Sequence, residues 1–149
     1  MKKTLIALLS VALIACENTD KPVVNLLEVG SNNSKTATIG GELHLEAEMI
    51  ADGKIANIRL VIHPEGEEEH GTGGLTNPLP QQSWEVDSTY TGVYANVRNT
   101  TFHEHIDIPL TASAGHYHLH LILTDQEGNQ ADAEVEIELV APAATVKKQ

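Results

Sequence analysis

Residues 115–129, GHYHLHLILTDQEGN, predict one complete β-strand that ends in a tight polar turn. Side chains alternate between the two faces of a strand, so His116, His118 and His120 share one face. The opposite face carries Tyr117, Leu119, Leu121 and Leu123. This pattern predicts a strand that buries its apolar face and exposes a row of imidazoles, which are possible metal ligands.

Alternation of the same kind predicts further strands along the chain. Four segments alternate clearly, at residues 42–50, 54–63, 102–110 and 131–140. Residues 22–29 and 84–91 predict two more strands, and residues 92–99 predict an extended connection or a second edge strand. Since no segment has a helical pattern, the elements predict an all-β fold, an immunoglobulin-like antiparallel β-sandwich of about seven strands.

One residue, Glu104, conflicts with this pattern. It falls on the same side of its segment as Phe102, Ile106 and Ile108, which is the apolar side. Either Glu104 lies near the end of the strand, or a β-bulge shifts the alternation there.

The first residues predict export and a lipid anchor. Lys2 and Lys3 precede an apolar run, residues 4–14, that is too short to remain as a membrane span. The run leads into Leu-Ile-Ala-Cys, which ends at Cys16 and resembles the bacterial lipobox. The resemblance implies that Cys16 is lipidated and becomes the first mature residue. The alternative is an ordinary signal peptide in which Cys16 falls near the cut by chance.

These features divide the chain into four parts. They are a signal peptide at 1–15, the lipidated cysteine and a tether at 16–21, a β-sandwich domain at 22–141 and a tail at 142–149. We expect an outer-membrane lipoprotein, held by its lipid at the cell surface or at the periplasmic face. Cys16 is the only cysteine, so an intramolecular disulfide is excluded.

The composition is acidic, with 21 Asp and Glu against 9 Lys and Arg and a formal net charge of −12. Such a chain repels nucleic acid and anionic lipid headgroups and attracts cations, so we expect no nucleic acid partner. Acidity is also common in solvated exported domains, and it does not by itself select a function.

The long irregular stretch at residues 64–80 combines glutamates, glycines and His70. A loop of this length in a compact domain is usually functional or disordered. Its glutamates lack the spaced Asp, Asn and Gly pattern of an EF-hand calcium loop, so they indicate a solvated loop more than a calcium site.

The chain resembles DUF4625, a family of uncharacterised Bacteroidetes lipoproteins. The matching features are the lipobox at Cys16, His63-Pro64 at a strand end, FHEHIDIP at 102–109, and GHYHL at 115–119 running on to Asp125 and Gly128-Asn129. The resemblance covers nearly the whole mature chain. It implies an immunoglobulin-like fold and display at the surface, and it carries no established activity or catalytic residue.

Immunoglobulin strand order predicts where the histidines meet. Segments 54–63, 116–124 and 131–140 would share one sheet, with 116–124 in the middle. His63 would then lie near His116, and the loop with His70 leaves from the same end of the sandwich. A metal site built from His63, His70, His116 and His118 is therefore expected on this outer face.

A second cluster is expected on the other sheet. His44, Glu46 and Glu48 would face outward beside His103, His105 and Asp107. Because the two clusters lie on opposite outer faces, they cannot share one mononuclear site. In a different topology, His103 and His105 could instead approach the glutamate loop. The simpler interpretation of both clusters is an exposed polar face with ordinary cross-strand pairs.

The predicted function is a membrane-anchored protein that binds Zn²⁺ or Cu²⁺ for capture, buffering or delivery. The metal would pass to an outer-membrane transporter or a surface protein. The alternative is a structural or adhesive module that binds a protein or glycan, with Trp84, Tyr90 and Tyr94 as its patch. An enzyme is not expected, because the chain lacks a nucleophile elbow, a P-loop and a His-Glu-x-x-His helix.

Overall fold

The computed structural model describes residues 20–66 and 82–143. Within these ranges the chain forms eight strands and two short 3₁₀ turns, Ser31–Asn33 and Gly92–Tyr94. The strands are β1 (Val23–Val29), β2 (Thr36–Thr38), β3 (Glu42–Ile50), β4 (Ile55–Pro64), β5 (Val86–Tyr90), β6 (Asn99–Asp107), β7 (Gly115–Asp125) and β8 (Gln130–Val140). In this part of the chain, no helix is long and apolar enough to cross a membrane.

The strands form two sheets, which confirms the predicted β-sandwich. One sheet has the order β1-β3-β6 and the other the order β2-β8-β7-β4-β5. The pairs are antiparallel except for β2 and β8, which run parallel. This order is that of an immunoglobulin-like domain, in which the first strand of the final hairpin lies in the middle of its sheet. As expected, β7 lies between β4 and β8, and β3 pairs with β6.

Strand β7, which carries the alternating histidines and leucines, is central to the core. Leu119, Leu121 and Leu123 are fully buried, as the alternation predicts. They belong to a single core cluster that also includes apolar side chains of β3 and β4. Because every second residue of these strands is apolar, each sheet buries one face and exposes the other to solvent.

Tyr117 marks the start of β7 with a contact typical of immunoglobulin-like domains. Its hydroxyl donates a hydrogen bond to the Ser113 carbonyl at 2.8 Å, and its ring packs edge-on against Trp84. Antibody domains place a disulfide cysteine two residues after this tyrosine. Here that position is Leu119, which is buried. Aliphatic packing therefore replaces the inter-sheet disulfide.

The chain crosses from the first sheet to the second between β1 and β2. The pairing of β1 with β3 shifts register between Leu26 and Glu28. Gly30 then turns the chain with φ 70° and ψ 162°, a conformation that is essentially restricted to glycine. The Gly30 amide donates to the His44 carbonyl, and the Lys35 amide donates to the Val29 carbonyl. This turn delivers β2 to the edge of the second sheet.

Two expectations about this half of the sandwich are wrong. Residues 92–99 form neither an extended connection nor an edge strand, because they begin with the 3₁₀ turn Gly92–Tyr94. Glu104 lies in the middle of β6, whose register with β3 is continuous, so neither a strand end nor a bulge explains it. Instead, the Tyr94 hydroxyl donates a hydrogen bond to the inward-facing Glu104 carboxylate at 2.7 Å.

Asp125 holds the turn between β7 and β8. It is buried, and its carboxylate accepts hydrogen bonds from the backbone amides of Glu127 and Asn129 and from the Asn129 side chain. Burial is the largest single influence and opposes ionisation, but the hydrogen bonds outweigh it and lower the pKa of Asp125. The charged carboxylate thus stabilises the turn.

Candidate metal centre

Three histidines converge on the solvent face of the first sheet, and we refer to His44, His103 and His105 as the three-histidine cluster. Strand β3 supplies His44, which lies directly opposite His105 of β6. His103, two residues before His105 on β6, points to the same face. One ring nitrogen from each histidine lies within 4.8 Å of the others. The cluster arises because period-two alternation points all three side chains outward from adjacent strands.

The ring nitrogens of this cluster are oriented by carboxylates. His44 Nδ1 lies 3.5 Å from His105 Nε2, so these two nitrogens face each other. The opposite nitrogen of His44 lies 3.7 Å from Glu28, and that of His105 lies 3.5 Å from Glu42. Metal-binding histidines usually place a carboxylate at the nitrogen that does not bind the metal. Each of the two rings therefore places one nitrogen near a carboxylate and the other toward the neighbouring histidine.

The spacing also suits an ion. Two nitrogens bound to one tetrahedral Zn²⁺ at normal distances lie about 3.3 Å apart. The observed 3.5 Å between His44 and His105 is close to this value. His103 belongs to the same group, with a ring nitrogen within 4.8 Å of a ring nitrogen of His44 and of His105. Glu28 and Glu46 form a separate group with His44, in which one ligand atom of each lies within 4.8 Å of the others.

The cluster opens onto a shallow depression between the outer face of the sheet and the turn after β1. Its lining consists of Glu28, Ser31, Asn32, Glu42, His44 and His105. His44 is partly covered, with 19% of its side chain exposed, whereas 51% of the His105 side chain is exposed. The site is thus accessible to a hydrated ion and partly shielded on one side.

The second sheet carries the histidine row, which consists of His116, His118 and His120 on β7. Each ring turns its Nδ1 toward a carboxylate of β8: His116 to Glu136 at 2.6 Å, His118 to Glu134 at 2.8 Å, and His120 to Asp132 at 3.3 Å. These pairs are diagonal in the register of β7 with β8. The row is therefore a ladder of cross-strand histidine–carboxylate contacts.

His63 lies on the same face but does not approach His116 in the expected way. It is directly opposite His118, and its ring contacts those of His118 and His120 at centroid distances of 5.6 and 5.5 Å. Its Nδ1 lies 3.1 Å from the Pro64 carbonyl oxygen, which is within hydrogen-bond distance. His63 thus stacks with the row instead of joining His116.

Comparison with known proteins identifies the family. The family model described as a domain of unknown function, DUF4625, matches residues 14–140. The chain belongs to the DUF4625 family. The resemblance seen in the sequence is thereby confirmed for this DUF4625 protein, over a range that includes both histidine clusters.

Several solved structures are similar to this DUF4625 chain at low identity. Spo0M, a sporulation control protein from Bacillus subtilis, is 14% identical, with 83% of this chain and 51% of that chain covered and a TM-score of 0.48. The soluble domain of PmoD from Methylocystis sp. ATCC 49242 (Rockwell) is 13% identical, with 80% and 90% covered and a TM-score of 0.38. Murine CRIg is 13% identical, with 83% and 99% covered and a TM-score of 0.36. The chain spans about half the length of the Spo0M chain, and no curated protein matches it.

The predicted ligands of the DUF4625 chain are distributed as follows. His103 and His105 join His44 in one cluster, and His63 and His118 lie side by side on the other sheet, while His116 groups with Glu65 and Glu136. The two clusters occupy the outer faces of different sheets, as expected. The predicted ligand His70 and the predicted lipidation site Cys16 lie outside the described residues.

Sequence reasoning placed His44 on the correct face but left it out of the expected ligands, and it missed Glu28. Alternation along 42–50 is the signal that identifies His44. Glu28 is hidden from such reasoning, because the register shift between Leu26 and Glu28 changes its partner on β3.

The aromatic residues considered for a partner-binding patch contribute to packing. Trp84 is buried in the core at 6% exposure. Tyr90 and Tyr94 pack edge-on or tilted against the buried ring of Phe102, at centroid distances of 4.9 and 5.1 Å. Burial raises the pKa of both tyrosines, and the neighbouring Glu104 adds to the effect. The two tyrosines thus pack against the Phe102 ring of β6.

Proposed function

We propose that this protein is a membrane-anchored metal-binding protein that holds Zn²⁺ or Cu²⁺ at the three-histidine cluster. The observation that carries the proposal is the arrangement of His44 and His105. Their facing nitrogens lie 3.5 Å apart, while a carboxylate lies beside the far nitrogen of each ring.

The donor set favours a transition metal. Imidazole binds Zn²⁺ and Cu²⁺ well, whereas Mg²⁺ and Ca²⁺ prefer oxygen ligands. The chain has no thiolate to offer in the domain, because Cys16 is its only cysteine. Imidazole must be neutral to bind a metal, so affinity should fall as the pH drops below about 6.

The anchor gives the metal site a location. A lipid on Cys16 would hold the domain at a membrane through a short tether, residues 16–21. The protein would then capture or buffer Zn²⁺ or Cu²⁺ at that membrane and deliver it to a transporter or surface protein nearby. The net charge of −12 supports this role, because it raises the local concentration of cations.

Calorimetric titration of the untagged protein with Zn²⁺ and Cu²⁺ at neutral pH tests the proposal. We expect micromolar or tighter binding, and His103→Ala should weaken it at least about tenfold because one of three imidazole ligands is lost. His120→Ala is the matched control, since it removes an imidazole from the opposite sheet, and it should leave this affinity unchanged.

Absence of binding to the untagged wild-type protein would contradict the proposal. Equal loss in His103→Ala and His120→Ala would contradict it too, because non-specific binding to surface histidines predicts that result. An unchanged unfolding midpoint in both variants would show that the sandwich is intact in each.

A further inference from the structure

A second group of potential ligands lies on the solvent face of the five-stranded sheet, at the end where β4 finishes and β7 begins. One ligand atom each from Glu65, His116 and Glu136 lies within 4.8 Å of the other two. This group shares no residue with the three-histidine cluster, and the two lie on different sheets. It also differs in chemistry, since it offers two carboxylates and one imidazole.

The backbone positions each of these side chains. The Glu65 amide donates a hydrogen bond to the His116 carbonyl at 3.0 Å, which extends the pairing of β4 with β7 beyond the end of β4. His116 Nδ1 lies 2.6 Å from the Glu136 carboxylate. Glu65 is therefore held beside β7 by a regular ladder contact, even though the loop that follows β4 begins there.

A neighbouring histidine strengthens the group. His118 directs Nδ1 at Glu134 at 2.8 Å, and its Nε2 lies 3.9 Å from the Glu65 carboxylate. The side chain of His118 is only 28% exposed, so its ring is confined between these two carboxylates. Glu65 thus lies between two imidazoles of the histidine row and within reach of both.

The carboxylates on this face favour binding of a cation. Glu65 and Glu136 bring two negative charges close together, and Glu134 adds a third beside His118. Arg59 on the same sheet is held by both oxygens of Asp87, at 2.8 and 2.6 Å. A bound divalent ion would neutralise the two carboxylates and use the imidazole as a third ligand.

We propose that Glu65, His116 and Glu136 form a second divalent-cation site, which takes a harder ion than the three-histidine cluster, with Mn²⁺ as its representative. Carboxylates suit Mn²⁺, and a single imidazole is compatible with it. Three imidazoles, by contrast, favour Zn²⁺ and Cu²⁺. The sandwich therefore presents two donor sets of different composition on its two outer faces.

Titration of the untagged full chain with Mn²⁺, followed by the loss of the free-ion signal in electron paramagnetic resonance, tests this site. We expect one Mn²⁺ per chain, and Glu136→Gln should weaken binding at least about tenfold because it removes a charged oxygen ligand of the same shape. His116→Ala should have a similar effect.

The matched control is His105→Ala on the other sheet, which should leave Mn²⁺ binding unchanged while it weakens Zn²⁺ binding. Wild-type protein that leaves the free Mn²⁺ signal intact would overturn the second site, as would Glu136→Gln that binds Mn²⁺ like the wild type. Failure of Zn²⁺ or Cu²⁺ to bind the three-histidine cluster would overturn the proposed function and leave this result unaffected, so the two proposals fail separately.

Discussion

Asp125 is a single residue on which the β7–β8 turn depends. Its carboxylate accepts hydrogen bonds from the backbone amides of Glu127 and Asn129 and from the Asn129 side chain. Asp125→Asn keeps the shape but replaces one acceptor with a donor, so it should lower the free energy of unfolding by about 1–3 kcal/mol at pH 7. Urea denaturation measures this difference.

The same variant predicts a pH dependence. The pKa of Asp125 is lowered in the folded protein, so its contribution to stability is present above its ordinary pKa, about 4, and is lost as the pH falls through the lower folded value. The stability difference between wild type and Asp125→Asn should therefore narrow as the pH falls below about 4. A difference that stays constant over this range would show that the charge is not the cause.

At the same scale, the sequence predicts orientation better than it predicts contacts. Alternation correctly directs His44, His103 and His105 outward. It cannot show that His44 and His105 face each other, because that depends on the register of β3 with β6. It also cannot explain Glu104, because the hydroxyl that satisfies it belongs to Tyr94, ten residues earlier in a turn.

Among the elements, the crossing from β1 to β2 imposes the strictest backbone requirement. A Cβ atom on Gly30 would lie 2.8 Å from the Thr36 carbonyl oxygen, and its φ of 70° with ψ of 162° is strained for other residues. Gly30→Ala should therefore lower the free energy of unfolding by about 2 kcal/mol or more, as measured by urea denaturation.

Gly92→Ala provides the control for this substitution. Gly92 also has a positive φ, 58°, but a Cβ atom there would meet nothing within 4 Å. It should cost about 1 kcal/mol, from backbone strain alone. Equal effects at the two glycines would show that the close approach of β2 to the turn does not limit the fold.

The elements with long alternation are those that the sequence predicts well. Strands β3, β4, β7 and β8 have nine to eleven residues, and their buried and exposed sides match the pattern. The sequence does not predict β2, because three residues are too few to display a period. The 3₁₀ turn at Gly92–Tyr94 is missed for a related reason: its aromatic residue packs against Phe102, a tertiary contact with no local signal.

For the whole molecule, the lipid anchor is the prediction with the clearest test. If Cys16 carries the lipid, Cys16→Ala should move the protein from the membrane fraction to the soluble fraction, because the apolar chains that hold it would be lost. Immunoblotting after ultracentrifugation measures the distribution. The sandwich itself should be unaffected, since it contains no cysteine, and the unfolding midpoint of the soluble variant checks this. Retention of Cys16→Ala in the membrane fraction would contradict the lipid anchor.

The separation of the three-histidine cluster from the histidine row is also a property of the whole molecule. Immunoglobulin strand order was sufficient to predict that the clusters lie on opposite faces, because it assigns β3 and β6 to one sheet and β4, β7 and β8 to the other. The exact ligand groups were beyond prediction. These groups depend on which diagonal neighbour on β8 each histidine contacts. They also depend on the hydrogen bond by which Glu65 extends the pairing of β4 with β7.

The parallel pairing of β2 with β8 has a mechanical consequence. Thr36 to Thr38 lie beside Glu138 to Val140, with hydrogen bonds that continue to Lys35 and Ile39 on either side. A force that pulls the two chain ends apart draws β2 toward its start and β8 toward its end. Because the strands are parallel, these forces oppose each other along one line and load the hydrogen bonds together instead of one after another. The shortest strand thus resists tension by shear.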